Sequence, residues 1–266
     1  MSITPSTLTR IAGVCAVTAG AIFIAVQINH PPLDVEHIQT TGMALRETAK
    51  AVMAALALVG IAGMYLHQVR RAGILGLVGY VVLSIGYLAM FAVQCIAGFV
   101  LPTVAASDPA FVQTVLDEAA GGPASGQIGH LHELLLISGI GYAVGGLLLG
   151  VALFRARVLT RWACALMAVA TTSVLALPAL PESFSRPFAV PMGLALIGLG
   201  VSLARSAGAE LSSEADAAAT VVPQSIASTP AAAVEQSTSS PRTTSPQTPT
   251  SSQDTTERPA ERVTIP

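Results

Sequence analysis

Long apolar stretches, separated by shorter polar segments, recur six times in residues 1–205 of the chain. An α-helix needs about 20 consecutive, mostly apolar residues to cross the hydrocarbon core of a bilayer. The pattern therefore predicts an all-α fold, a polytopic transmembrane helical bundle with about six spans. The six predicted spans are residues 11–28, 51–69, 74–101, 134–154, 162–181 and 188–204.

The third apolar stretch is longer than one span requires, and it continues past residue 101. Pro102 is the position where we expect the helix to break, because proline lacks an N–H donor. Asp108 and Pro109 follow, a capping side chain and a proline suited to the first helical position. Helical spacing of the apolar residues then predicts a short amphipathic helix at residues 109–120 on the outer membrane surface, with a plain loop as the alternative.

The composition changes after Arg205. Residues 206–266 are rich in Ser, Thr, Pro and Ala, and they contain no aromatic residue. Such a segment buries too little apolar surface to offset the conformational entropy that ordering would cost. We therefore predict a disordered, solvated tail at residues 206–266, with phosphorylation or partner binding at its Thr/Ser-Pro sites as the alternative.

The basic residues indicate how the chain is oriented. With the N-terminus in the cytoplasm, the inner segments carry seven arginines, whereas the outer loops carry three cations. The inner set is Arg10, Arg70, Arg71, Arg155, Arg157, Arg161 and Arg205; the outer set is Arg46, Lys50 and Arg186. This asymmetry follows the positive-inside rule. The predicted location is the inner (cytoplasmic) membrane of a bacterium, with both termini in the cytoplasm.

Composition narrows the function classes. Charged residues make up 11% of the chain, against about 25% in ordinary soluble proteins. The net charge of −2 provides no positive potential that would attract nucleic acid. The cores of the six stretches contain no Asp, Glu, Lys, Arg or His, which argues against a proton-coupled carrier. A passive transporter or lipid-binding protein, with a cavity near Gln94 and residues 171–173, stays open.

Four of the five histidines fall on the predicted outer side, and they form a candidate metal site with Glu133. The candidate ligands are His130, Glu133, His132, His30 and His37. Imidazole and carboxylate groups bind zinc and copper. On a helix, His130 and Glu133 would share a face, whereas an extended chain would let His130 and His132 chelate together. The alternative is that these polar side chains only occupy the membrane interface.

The sequence assigns no catalytic residue and no cofactor. It contains no P-loop, dinucleotide fingerprint or nucleophile elbow, and its histidines do not form the H-E-x-x-H motif. We therefore lean towards a protein that is not an enzyme.

Four glycines recur at a spacing of four residues in the fourth stretch: Gly141, Gly145, Gly146 and Gly150. Small residues at this spacing let transmembrane helices approach closely. They predict either a homo-oligomer interface or packing inside the bundle.

The six-span pattern, the QINHPP segment at 27–32 and the GHLHE segment at 129–133 resemble uncharacterised families of six-helix integral membrane proteins of high-GC, actinobacteria-like bacteria. The resemblance covers about residues 8–205. It implies a helical bundle in the cell membrane and no particular activity. The leading hypothesis is a non-enzymatic structural or accessory membrane protein. The alternatives are a metal- or haem-linked protein that uses the outer histidines, and a passive transporter or lipid-binding protein.

Overall fold

The computed structural model describes residues 4–122, 127–179 and 189–227. Every regular element in these ranges is helical, as the hydropathy pattern predicts. The α-helices are α1 (Pro5–Ala25), α2 (Val35–Ile38), α3 (Thr41–His67), α4 (Val69–Cys95), α5 (Leu101–Val104), α6 (Pro109–Ala119), α7 (Leu131–Ala156), α8 (Arg161–Ser173) and α9 (Ala189–Ala227). A π-helical turn at Ile96–Val100 joins α4 to α5, and a 3-10 helix at Val174–Ala179 follows α8.

Five of the helices are long and apolar enough to cross a membrane, judged by length and composition. They are α1, α3, the segment Val69–Val104, α7 and the part Ala189–Ala209 of α9. The predicted fifth span contains α8, which is apolar but shorter than the others. The chain is therefore an all-α helical membrane protein, as predicted.

Successive long helices of the bundle run in opposite directions. α3 packs against α1 and α4, and α7 packs against α4 and α8. α1 also lies directly on α9, since a Cβ added at Gly13 would be 2.7 Å from the carbonyl oxygen of Gly200. Two ends result. The α2–α6 end carries α2, α5, α6 and the start of α7, whereas the arginine end carries the α3–α4 and α7–α8 junctions.

The helix α3 begins at Thr41, well before the predicted start at residue 51. Its first turn is capped by Thr40, whose hydroxyl accepts a hydrogen bond from the N–H of Met43 at 3.2 Å. Glu47 and Lys50, which hydropathy places in an outer loop, therefore lie inside α3. This corrects the prediction that both residues belong to a loop, since Glu47 is buried within the bundle.

The short amphipathic helix predicted at residues 109–120 is present as α6. Asp108 caps it by accepting a hydrogen bond from the N–H of Phe111 at 3.0 Å, and Pro109 occupies the first turn. Its apolar face joins a small core at the α2–α6 end, made of Ile38, Met43, Leu101, Ala105, Val112, Val115, Leu116 and Ile128. The chain leaves α-helical geometry in the π turn before Pro102, and the helix ends at Val104.

The four glycines of α7 face two different neighbours within the chain. A Cβ added at Gly141 would lie 2.8 Å from the Cα of Gly86 on α4, and Gly145 abuts Leu83 on the same helix. On the adjacent face, a Cβ at Gly150 would lie 2.8 Å from the backbone nitrogen of Ala168 on α8. All four, with Gly146 against Thr171, pack inside the bundle; a homo-oligomer stays a prediction.

The last helix extends beyond the predicted boundary at residue 205. α9 continues to Ala227, through a run rich in alanine, the residue with the highest helix propensity. The chain divides into two units, Met1–Val221 and Val222–Pro266, and only the end of α9 is described in the second. The rest of the predicted tail, residues 228–266, lies outside the described residues.

Candidate functional site

A cavity of about 550 Å³ lies at the α2–α6 end of the bundle. Polar side chains from four helices line it: Glu47 and Lys50 of α3, Gln94 of α4, Glu118 of α6, and His132 and Ser138 of α7. Most of the remaining wall is apolar and includes Leu33, Ile38, Met90, Leu116, Leu135 and Leu136. The cavity therefore combines charged groups with a surface suited to hydrocarbon.

Glu47 and Lys50 form an ion pair one helical turn apart on α3. The Nζ atom of Lys50 donates to Glu47 Oε1 at 2.6 Å, and the two side chains are 15% and 3% exposed, respectively. The π turn covers this face of α3, because a Cβ added at Gly98 would lie 3.1 Å from the Cβ of Glu47. A carboxylate buried in this way is tolerated only with a partner.

Glu118 and His132 form a second pair, which joins α6 to α7. With its proton on Nδ1, His132 donates to Glu118 Oε1, and the Glu118 side chain is 8% exposed. The other carboxylate oxygen, Glu118 Oε2, is buried and has no hydrogen-bond partner among the described residues. Buried polar atoms normally have a hydrogen-bond partner. The described residues supply no donor for this oxygen.

The candidate metal ligands lie in separate arrangements. His130 is fully exposed, and its Nδ1 lies 3.6 Å from Glu133 Oε2, so the pair shares a helix face as its spacing predicts. His132 instead contacts Glu118. Within the ranges that the structure describes, no group of three or more His, Cys, Asp or Glu could hold a metal ion.

The other two predicted ligands lie in the segment between α1 and α3. His37 Nδ1 is 2.8 Å from Asp34 Oδ1, and the N–H of His37 donates to the same oxygen, which caps α2. These two hydrogen bonds, the backbone one foremost, hold the pKa of Asp34 below its ordinary value. His30 Nδ1 lies 2.7 Å from the carbonyl oxygen of Pro31. The predicted metal site stays a prediction.

The predicted cavity near Gln94 and residues 171–173 is divided between two places. Gln94 lines the large cavity, whereas Ser173 lines a smaller one of about 170 Å³. Met90, Ser138 and Gly139 border both cavities. The hydroxyl of Thr171 instead donates to the carbonyl oxygen of Met167 within α8 at 2.9 Å, a common local arrangement for threonine in helices.

Glu47, Lys50 and Glu118 are site residues that the sequence does not single out. For the first two a signal exists, since an acid and a base three residues apart directly precede an apolar stretch. For Glu118 no such signal exists, because its partner His132 lies on another helix.

No family model, curated protein or solved structure matches this chain. The function is therefore argued from the geometry of the site.

Proposed function

We propose that the chain is an integral protein of a bacterial cytoplasmic membrane that binds an amphiphilic ligand in the cavity at the α2–α6 end, without catalysing a reaction. The observation that carries this proposal is the composition of the cavity wall. Two acid–base pairs lie beside a largely apolar surface, and ligand sites commonly combine an apolar wall with a few polar groups that fix orientation.

The arrangement of Ser138 and His132 favours binding over acyl transfer. A serine nucleophile needs a base within hydrogen-bond reach. Both residues line the cavity, but six positions on α7 separate them, about 9 Å along the helix axis. No hydrogen bond joins them among the described residues, and His132 Nδ1 is held by Glu118.

The orientation that we propose places the cavity on the outer side and both termini in the cytoplasm. The α3–α4 and α7–α8 junctions at the arginine end carry five arginines: Arg70, Arg71, Arg155, Arg157 and Arg161. At the opposite end, Arg46 donates to the carbonyl oxygens of Val26, Ile28 and Asn29 at 3.0 Å. Arginine-rich junctions are retained on the cytoplasmic side.

Cysteine labelling tests this orientation. Single cysteines at two exposed alanines, Ala110 on α6 and Ala209 near the arginine end of α9, are introduced after the native cysteines are replaced. A membrane-impermeant maleimide is expected to label Ala110→Cys in intact spheroplasts, and Ala209→Cys only after lysis. Labelling of both sites before lysis would refute the proposed topology.

Occlusion of the cavity tests the binding function. Gly139 lines the cavity, and a Cβ added there meets nothing within 4 Å, so Gly139→Leu should fold and fill the space. In phosphatidylcholine nanodiscs, we expect at least one of octylamine, octanol and octanoate to raise the Tm of the wild type saturably. The leucine variant should lose this shift, whereas a control at an exposed site, Ala110→Leu, should keep it. If none of the three raises the wild-type Tm, the binding function is wrong.

A further inference from the structure

We infer that the ligand head group is an ammonium, which donates a hydrogen bond to Glu118 Oε2 and lies in the cavity shared with Glu47. The inference rests on the proposed function, that the cavity binds an amphiphile. It goes further in naming the chemistry that the cavity selects.

The atom that selects the head group is the second oxygen of Glu118. Its side chain is more than nine-tenths buried, and Oε1 is already used by His132. The oxygen Oε2 makes no hydrogen bond with any described residue and is itself buried, so a ligand reaches it when the Glu118 side chain turns towards the cavity that it lines. An ionised carboxylate only accepts hydrogen bonds, so what this position lacks is an N–H or O–H donor. An ammonium supplies a donor and a charge together, and such charge-assisted bonds are the strong ones.

Each acid that lines the cavity is already paired with a base, so net charge alone does not select the head group. The two acids are Glu47 and Glu118, and they contact Lys50 and His132 respectively. The head groups differ in what they offer to the one acceptor left over. An anion would bring a further negatively charged acceptor to Glu118 Oε2 and be repelled, whereas an ammonium donates to it.

The apolar part of the ligand has a continuous surface to follow. Leu116 on α6 and Leu135 and Leu136 on α7 line the cavity. Leu136 is also 47% exposed on the apolar surface of the bundle. An alkyl chain can therefore run from the charged pairs along α7 towards the bilayer. A free long-chain amine and the aminoethyl head group of phosphatidylethanolamine share this chemistry.

Two cations of equal charge and chain length, one with N–H donors and one without, test the inference on the full-length protein in phosphatidylcholine nanodiscs. Octylamine carries N–H donors, whereas octyltrimethylammonium carries the same charge and none. From thermal shifts, we expect octylamine to bind the wild type at least about tenfold more tightly than octyltrimethylammonium or octanol, the factor that one hydrogen bond to a charged group supplies. Glu118→Gln should abolish this preference.

Glu133→Gln is the matched control, because Glu133 is an exposed acid at the same end of α7; the preference should persist in it. If Glu118→Gln fails to fold, the comparison of the two cations on the wild type decides alone. Equal binding of both cations, or tighter binding of octanoate, would overturn the ammonium assignment and leave the binding function intact. An absence of any shift would overturn both.

Nanodiscs prepared with and without phosphatidylethanolamine distinguish the two sources of the ammonium. If the lipid is the ligand, its presence should weaken octylamine binding to the wild type. If octylamine binding is unchanged, the ammonium comes from a free amine. Either result supports an ammonium site, provided that octylamine retains its preference over octyltrimethylammonium.

Discussion

Replacement of Lys50 by methionine is expected to lower the free energy of unfolding by about 3–5 kcal/mol, the cost of leaving one member of a buried ion pair without its partner. Glu47 would then remain 3% exposed under the π turn, without the ammonium that lies 2.6 Å from its Oε1 in the native protein. Methionine keeps the length of the lysine stem, so lost packing contributes little. Reversible unfolding in detergent micelles measures the effect.

Two further variants test whether the unpaired charge of Glu47, and not the substitution itself, causes the loss of stability. The double variant Glu47→Gln, Lys50→Met removes both charges, so it should recover most of the lost stability. Glu133→Gln removes an acid that is 58% exposed and 3.6 Å from His130, and it should change stability by less than about 0.5 kcal/mol. A double variant no more stable than Lys50→Met would show that the buried charge is not the cause.

The second large effect is expected from Gly145→Ala. The added methyl group would lie 2.8 Å from the Cβ of Leu83, and the backbone of α4 at the same residue is closer still. Because the obstacle is backbone, α4 and α7 must move apart, and we expect a loss of about 1–3 kcal/mol. Thermal unfolding in nanodiscs measures it.

Gly139 provides the matched control on the same helix. A Cβ there meets no atom within 4 Å, so Gly139→Ala should be neutral or stabilise the helix by up to about 1 kcal/mol. The mass of the same variants, measured after solubilisation in detergent, tests the predicted homo-oligomer. Packing within the chain predicts that Gly145→Ala lowers stability at constant mass. Equal stabilities for the two variants would contradict the close α4–α7 contact.

The sequence predicts those helices whose apolar character is local and continuous. The ends of α1, α4 and α7 lie within a few residues of their predicted spans. A run of about 20 apolar residues is enough by itself to indicate a membrane-spanning helix. The start of α3 is not predicted, since Arg46, Glu47 and Lys50 interrupt the apolar pattern. Their accommodation in a helix depends on contacts with α1 and the π turn, which hydropathy does not report.

In the site, too, local contacts could be predicted from the sequence and contacts between distant residues could not. The His130–Glu133 pair could be predicted, because a spacing of three residues on a helix fixes it. Glu118 meets His132 only because α6 folds back onto α7, and no spacing in the chain encodes that meeting. The amphipathic pattern predicted α6 itself, but the sequence alone does not show which helix α6 contacts. The sequence thus predicts the local elements, but not the cavity that they enclose.

The shortness of α8 has a consequence for how the chain enters the membrane during synthesis. Together with the first residues of the 3-10 helix it forms an apolar helix, Arg161–Ala176, that extends only about 24 Å, against a hydrocarbon core of about 30 Å. Neighbours on both sides hold it: Thr171 lies against Gly146 of α7, and Trp162 against Gly198 of α9. We therefore expect the nascent chain to integrate α8 late, after α9 has emerged from the ribosome, with the three helices leaving the translocon as one group.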